Sequence, residues 1–168
     1  MNLLHRYLLW LAVVDVLGAA IMAGLLFAFS NFVMRALTQL PPAFGMETMQ
    51  RVNLAIVNPL FLVVFVGTAA VSVLLVLATV AAPANPGYAL LLAGAACYLI
   101  GVVGVTAAFN IPLNNSLAAA ASANAADIWP RYVNQWLPWN HVRTTFASLA
   151  VVCLVVGAIK LGHSSVSP

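Results

Sequence analysis

Four long apolar stretches dominate this sequence. Each contains about 20 or more mostly apolar residues, the length that an α-helix needs to cross the hydrocarbon of a bilayer. Backbone that faces lipid must satisfy its own hydrogen bonds, so the stretches are predicted to be helices. They lie at residues 7–34, 54–82, 88–109 and 142–159. We therefore expect an all-α integral membrane four-helix bundle, with residues 1–168 forming a single transmembrane domain.

The charge content excludes most other classes of protein. Six Lys or Arg and three Asp or Glu residues make up 5% of the chain, whereas soluble domains average about 25% charged residues. So few charges cannot cover a water-facing surface, which excludes a soluble enzyme, and we expect no nucleic-acid partner. Two cysteines and three histidines are too few for a disulfide scaffold or a dense metal cluster. We expect a multi-pass protein of a bacterial inner membrane, with the lipid bilayer as its environment.

The connections between the spans differ in length, and the difference predicts at which end of the bundle the polar residues lie. A short turn at residues 83–87 joins spans two and three, whereas residues 35–53 and 110–140 form long loops. An even number of spans puts both termini on one side and both long loops on the other. Nearly all polar side chains lie in or beside the long loops, so one end of the bundle is predicted to hold the chemistry. Small residues in spans one and three would allow close packing between copies, which leaves a homo-oligomer open.

The second long loop contains an amphipathic segment at residues 128–137. Asp127 can cap a helix that has Pro130 in its first turn. Apolar residues then recur with the period of a helix, at Trp129, Tyr132, Val133, Trp136 and Leu137. One interpretation is an interfacial helix with an aromatic belt. The other is a lid over the bundle whose aromatic rings stack on a flat ligand.

Amide side chains and an ion pair mark the start of span two. Glu47 and Arg51 are four residues apart, in the favourable order for a helical pair. Asn53 and Asn58 lie deeper, where polar side chains line a cavity or cross-link helices. Asn58 precedes Pro59, which is expected to kink the helix.

Two further asparagines follow span three. Asn110 and Asn114 flank Pro112, and the proline predicts that the helix stops at Ile111. The resulting turn would present two amides at the mouth of the bundle. The alternative is a simple helix stop in which the asparagines satisfy their own backbone.

Span four opens with a polar group of residues. Asn140 is the predicted N-cap of this helix. His141 and Thr145 belong to a polar stripe that descends into the membrane, whereas Arg143 points to the opposite side. A neutral imidazole at position 141 would act as a base or a ligand. The alternative is a hydrogen-bonded interfacial histidine with no chemical role.

Asp15 is an acid inside span one, where ionisable residues are functional candidates. It lies in the other half of the bilayer from His141. We expect a structural role for it, either protonated or paired with Lys160 or Arg6.

Four segments, taken in order, carry a family resemblance. They are residues 29–37, 49–53 with 58–59, 110–114 and 136–143. Together they resemble the anthrone oxygenase-like family of small four-span membrane proteins, over nearly the whole chain. Arg35 departs from the pattern, which has a proline-like residue there. The resemblance implies oxidation of an anthrone-type polycyclic phenol by O₂, with no cofactor.

The reaction that the resemblance implies also suggests roles for ten of these residues. An anthrone has an acidic CH₂ group whose deprotonation gives a delocalised anion that reacts with O₂ directly. The protein then supplies a base, a donor to the negative oxygen and a dry pocket. The implied catalytic residues are His141 as the base, Arg143 for the negative charge and Asn110 for a substrate oxygen. The implied substrate-binding residues are Arg51, Asn53, Asn58, Asn114, Trp136, Trp139 and Thr145.

Three other functions compete with this hypothesis. A haem or quinone could occupy the same polar end, with His141 as a single axial ligand of the haem. A small proton-coupled transporter would use Asp15. A structural subunit without chemistry would have its polar end packed shut. The favoured hypothesis expects a flat hydrophobic small molecule and O₂ as partners, and no metal.

Overall fold

The computed structural model describes residues 3–81 and 87–164, and this part of the chain contains helices and no strand. The α-helices are α1 (Leu3–Ala28), α2 (Met34–Thr38), α3 (Pro42–Ala55), α4 (Pro59–Val80), α5 (Tyr88–Ala96), α6 (Ile111–Ala118) and α7 (Ala125–Ser164). Wider π-helical segments occupy Phe29–Val33, Cys97–Gly104 and Thr106–Asn110. The predicted all-α bundle is confirmed.

Four helical runs within the described residues are long and apolar enough to cross a membrane. They are His5–Thr38, Pro59–Val80, Tyr88–Ala118 and Ser122–His163. The first run joins α1 to α2, and the third joins α5 to α6, through π-helical segments. This is the pattern of a multi-pass membrane protein. The predicted turn at 83–87 lies outside the described residues, apart from Gly87.

The expected kink at Pro59 is a complete break between two helices. α3 ends at Ala55 and α4 begins at Pro59, so the second span starts five residues later than predicted. Asn58 is extended, and its Oδ1 accepts a hydrogen bond from the N–H of Phe61 at 3.0 Å. Its Nδ2 donates to the carbonyl of Ala55 at 3.0 Å. Asn58 is therefore the cap that ends one helix and starts the next.

The prediction that span three stops at Ile111 is wrong. The helix continues through Pro112 to the end of α6. A π-helical segment precedes the proline, and the N–H of Ile111 bonds to the carbonyl of Thr106, five residues earlier. This wider spacing relieves the clash by which a proline breaks an α-helix. Asn110 and Asn114 therefore share one helix instead of flanking a turn.

The amphipathic segment is helical, as predicted, but it is continuous with span four. α7 runs for 40 residues and contains Pro130 and Pro138. At 1.5 Å per residue it is about 60 Å long, twice the thickness of the hydrocarbon, so about half of it exceeds the length needed to cross a membrane. The prediction that Asn140 is an N-cap is therefore wrong. His141 consequently lies in the middle of a helix and not at its positive end.

Asp15 is fully buried and joins α1 to α4. The hydroxyl of Ser72 donates to its two carboxylate oxygens, at 2.9 and 3.0 Å. Of the two expected arrangements, protonated or paired with Lys160 or Arg6, the pair is not formed: the single ion pair among the described residues joins Glu47 to Arg51. Asp15 thus acts as a hydrogen-bond acceptor between helices in the half of the bundle nearer the termini.

Three buried clusters follow one another along the bundle. Two of them join the four spanning helices, around Leu75 and Tyr98 respectively. The third lies beneath the first half of α7 and packs it against α2, α3 and α6. Gly45 allows this packing, because a Cβ atom there would lie 2.9 Å from Nε1 of Trp129. The space between the second and third clusters is where the candidate site lies.

Candidate functional site

A cavity of about 340 Å³ lies at the break between α3 and α4. Most of its lining is apolar, and all of the spans contribute to it. Its polar lining residues are Asn53, Thr106, Asn114, Asn140 and Arg143. A pocket with apolar walls and a few convergent polar groups is the usual form of a small-molecule site.

Arg143 is the principal charge of this cavity, and it is only 8% exposed. Its Nη2 donates to Oδ1 of Asn140 at 2.7 Å, and its Nη1 donates to Oγ1 of Thr106 at 3.1 Å. Its Cζ lies 5.3 Å from the centre of the Trp136 ring, within the range of a cation–π contact. No Asp or Glu among the described residues forms an ion pair with it. The positive charge is therefore held by neutral groups and remains uncompensated.

Asn140 fixes the position of this guanidinium. Its side chain is fully buried, and its Nδ2 donates to the carbonyl of Leu26 at 2.9 Å and to Oγ of Ser30 at 2.8 Å. The Ser30 hydroxyl lies 3.0 Å from that of Thr144. These bonds tie α7 to span one and leave Oδ1 of Asn140 aimed at Arg143. The arginine is thus preorganised by its neighbours.

Three donors in the cavity lining have no hydrogen-bond partner among the described residues. They are Nε of Arg143, Nδ2 of Asn53 and Nε1 of Trp136, and all three atoms are buried. Buried donors without partners are costly, and each of them needs an explanation. Donors of this kind, one of which carries a positive charge, suit an anionic or strongly polarised ligand.

Three aromatic residues in the first half of α7 close one end of the cavity, and we call them its cover: Trp129, Tyr132 and Trp136. Trp129 stacks on Tyr132, and Tyr132 on Trp136, with ring centres 5.8 and 6.3 Å apart. The hydroxyl of Tyr132 donates to Oδ1 of Asn114 at 2.9 Å, which holds α7 against α6. Only Trp136 of these three rings also lines the cavity. The cover is a packed core, with one indole available to a ligand.

The structure brings four of the sequence-predicted site residues to the cavity lining and places a fifth beside it. Asn53, Asn114, Trp136 and Arg143 line the cavity. Asn110 is buried nearby, and its Nδ2 points to the carbonyl of Trp136 at 3.5 Å.

The other five predicted residues lie elsewhere. Arg51 pairs with Glu47 on the surface, Asn58 is the helix cap, and Trp139 stacks on Phe109 with ring centres 3.6 Å apart. His141 and Thr145 are exposed, and the Thr145 hydroxyl donates to the carbonyl of His141. A haem bound through His141 would therefore lie on the outer face of α7 and not in this cavity.

Sequence reasoning missed three polar residues of the site. Ser30, Thr106 and Asn140 complete the network around Arg143. Asn140 and Arg143 are three residues apart, so both face the same side of one continuous helix. This spacing predicts that the two side chains are neighbours if the helix is continuous through residue 140. The interpretation of Asn140 as an N-cap instead placed its side chain at the end of a helix.

Among the described residues, no group of three His, Cys, Asp or Glu side chains could hold a metal ion. Arg143 is also the sole titratable side chain among those that line the cavity. What the site provides is an apolar chamber with one fixed cation and two further donors.

These features define an α-helical membrane protein with an apolar chamber and a buried arginine at its polar end. A family model described as anthrone oxygenase matches residues 61–153, more than half of the chain. The chain therefore belongs to the anthrone oxygenase family. The matched part includes Thr106, Asn114, Trp136, Asn140 and Arg143, whereas span one and Asn53 precede it. No curated protein and no solved structure matches this chain.

Proposed function

We propose that this protein oxidises a hydroxyanthrone-type polycyclic phenol to the quinone with O₂, and that it binds the substrate as its anion. The observation that carries the proposal is the buried guanidinium of Arg143, which faces an apolar cavity and has no carboxylate partner among the described residues. A flat aromatic anion matches both features, because its rings fit the apolar walls and its oxygen meets the unpaired donors.

The reaction needs little more than stabilisation of that anion. Loss of one proton from the CH₂ group gives a delocalised carbanion, which reduces O₂ and forms a C–O bond to it. The resulting peroxide anion takes a proton back from water, and the hydroperoxide then loses water to leave a carbonyl, so one oxygen atom of O₂ enters the quinone and the other leaves as water. Nε of Arg143, Nε1 of Trp136 and Nδ2 of Asn53 would hold the oxygen on which the negative charge develops.

The proton in this scheme passes to water. His141 was the expected base, but it is exposed and outside the cavity lining. We therefore expect His141→Ala to keep kcat/KM within about two-fold of the unchanged protein. Oxygen uptake with 1,8-dihydroxyanthrone measures this. A loss of 100-fold or more would restore the histidine as the base.

The direct test replaces the guanidinium. The protein in lipid nanodiscs is supplied with 1,8-dihydroxyanthrone, and the rates of oxygen uptake and anthraquinone formation are compared with those of empty nanodiscs. Arg143→Met should lower kcat/KM by about 100-fold or more, the usual cost of losing a donor to a developing oxyanion. Arg51→Met is the matched control, because it removes an exposed arginine outside the cavity lining. A protein that is no faster than empty nanodiscs would refute the proposed reaction.

A further inference from the structure

We infer that the cavity opens sideways into the bilayer and takes its ligand from the lipid. Four apolar residues define the opening, which we call the portal: Val57, Leu62, Val66 and Ile111. All four line the cavity, and yet their exposed fractions are 64%, 43%, 55% and 47%. A side chain that is both a wall of the cavity and part of the outer surface marks the place where the two meet.

The position of the portal puts it at lipid rather than at water. Leu62 and Val66 lie on α4, which is long and apolar enough to cross a membrane. At 1.5 Å per residue they are about 5 and 10 Å along the helix from its first residue, Pro59. Since the portal residues are all apolar, this opening favours a molecule that is dissolved in the hydrocarbon.

The end of the cavity beneath α7 is closed by packing. Trp129, Tyr132 and Trp136 are 3%, 5% and 4% exposed, and they belong to the cluster that joins α7 to α2, α3 and α6. An apolar ligand that arrived through this cover would have to part the stacked rings. The portal needs no such rearrangement.

The route also specifies the ligand class, and this part rests on the proposed function. A molecule that comes through the portal enters the cavity that Arg143 lines, so an anionic or phenolic oxygen on it can bind the guanidinium. The ligand is therefore an amphiphile with an anionic or phenolic oxygen at one end and an apolar body that extends toward the portal. Phenols that carry an apolar substituent on the ring far from that oxygen fit best.

The test measures access to Trp136 and needs no substrate. Trp10, Trp129 and Trp139 are replaced by Phe, so that the remaining fluorescence comes from Trp136 in the cavity lining. Bromobenzene, a flat quencher that dissolves in the bilayer, is added to the protein in nanodiscs, and iodide is added separately as the water-soluble quencher. If the triple variant does not fold, the difference in signal between the native chain and Trp136→Phe replaces it.

A matched pair of double variants locates the route. Leu62→Phe with Val66→Phe narrows the portal. Val63→Phe with Leu74→Phe makes the same two kinds of substitution on α4, at exposed positions outside the cavity lining. We expect bromobenzene to quench Trp136 at least ten times more effectively than iodide does. The portal variant should lower quenching by bromobenzene at least five-fold, and the control should leave it unchanged.

Two results would overturn the inference: quenching by iodide as strong as that by bromobenzene, or equal quenching in both double variants. The proposed reaction fails separately, through absence of anthrone oxidation in a protein whose Trp136 quenching does depend on the portal. Arg143→Met separates the two further, because it should lower kcat/KM by about 100-fold or more and leave quenching by bromobenzene in place.

Discussion

A carboxylate placed next to Arg143 would test whether its charge is what binds the substrate. Thr106 is the suitable position, because its hydroxyl lies 3.1 Å from Nη1 of Arg143 and its side chain lines the cavity. In the Thr106→Asp variant, opposite charges about 4 Å apart would attract each other by about 4 kcal/mol at an effective dielectric constant of 20. A substrate anion would then meet a neutral pair. We expect it to lose about 3 kcal/mol of binding, which is roughly 100-fold in kcat/KM.

The assay pairs this variant with Thr106→Asn, which has nearly the same shape and an amide oxygen that can still accept from Arg143. Oxidation of 1,8-dihydroxyanthrone in nanodiscs gives kcat/KM, and thermal melting in detergent gives stability. The Asn variant should stay within about five-fold of the unchanged protein, because it alters a neutral contact only. The Asp variant should melt no lower than the Asn variant, because Arg143 gains a partner.

The comparison between these two variants decides the outcome. Equal activity in both, close to that of the unchanged protein, would refute the role of the Arg143 charge. An equal loss in both would show that the Thr106 hydroxyl or its size matters, and the charge argument would fail in that case too. A loss confined to the Asp variant supports binding of an anion.

Three further predictions concern the framework. Asn140→Ala removes two donated hydrogen bonds and the acceptor of Arg143. It should lower the free energy of unfolding, measured with denaturant in detergent, by about 3–5 kcal/mol, whereas Thr145→Ala at an exposed position should leave it unchanged. Asp15→Asn keeps an oxygen that accepts from Ser72, so melting and turnover should be retained; loss of turnover in a folded variant would instead favour a proton-carrying role. Asn58→Ala removes the cap of α4 and should lower stability by about 1 kcal/mol, with a drop below 0.3 kcal/mol contradicting the capping role.

The spans were predictable because the bilayer imposes a strong constraint on sequence. A crossing helix needs a long apolar run, and four such runs are present. The boundaries were less predictable, since prolines have more than one effect. Pro59 separates two helices, Pro112 follows a π-helical segment within a continuous run, and Pro138 lies inside α7. Local sequence does not distinguish these outcomes, because each depends on how neighbouring carbonyls find partners in the packed bundle.

The site was partly predictable for the same topological reason. Both long loops lie at one end, and Asn53, Asn114 and Arg143, predicted together from that topology, all line the cavity. The side chain most favoured on chemical grounds, His141, is exposed. Residue type suggests which group could act as a base, whereas the rotation of α7 about its axis decides which groups face inward. That rotation is set by contacts such as those of Asn140 with span one, which no single segment reveals.

The buried arginine also lowers the stability of the fold. The guanidinium is largely removed from water, and the groups around it are neutral. A buried charge without a partner of opposite charge is destabilising, because nothing compensates for the lost hydration. Three unpaired donors add to that cost. An Asp at position 106 would relieve the charge, but it would also neutralise the cation that attracts an incoming anion. Retaining Thr106 keeps the positive charge available, and the bonds of Asn140 to Leu26 and Ser30 keep it in place. The unpaired donors and the buried charge therefore lower the stability of the site, as the proposed binding of an anion requires.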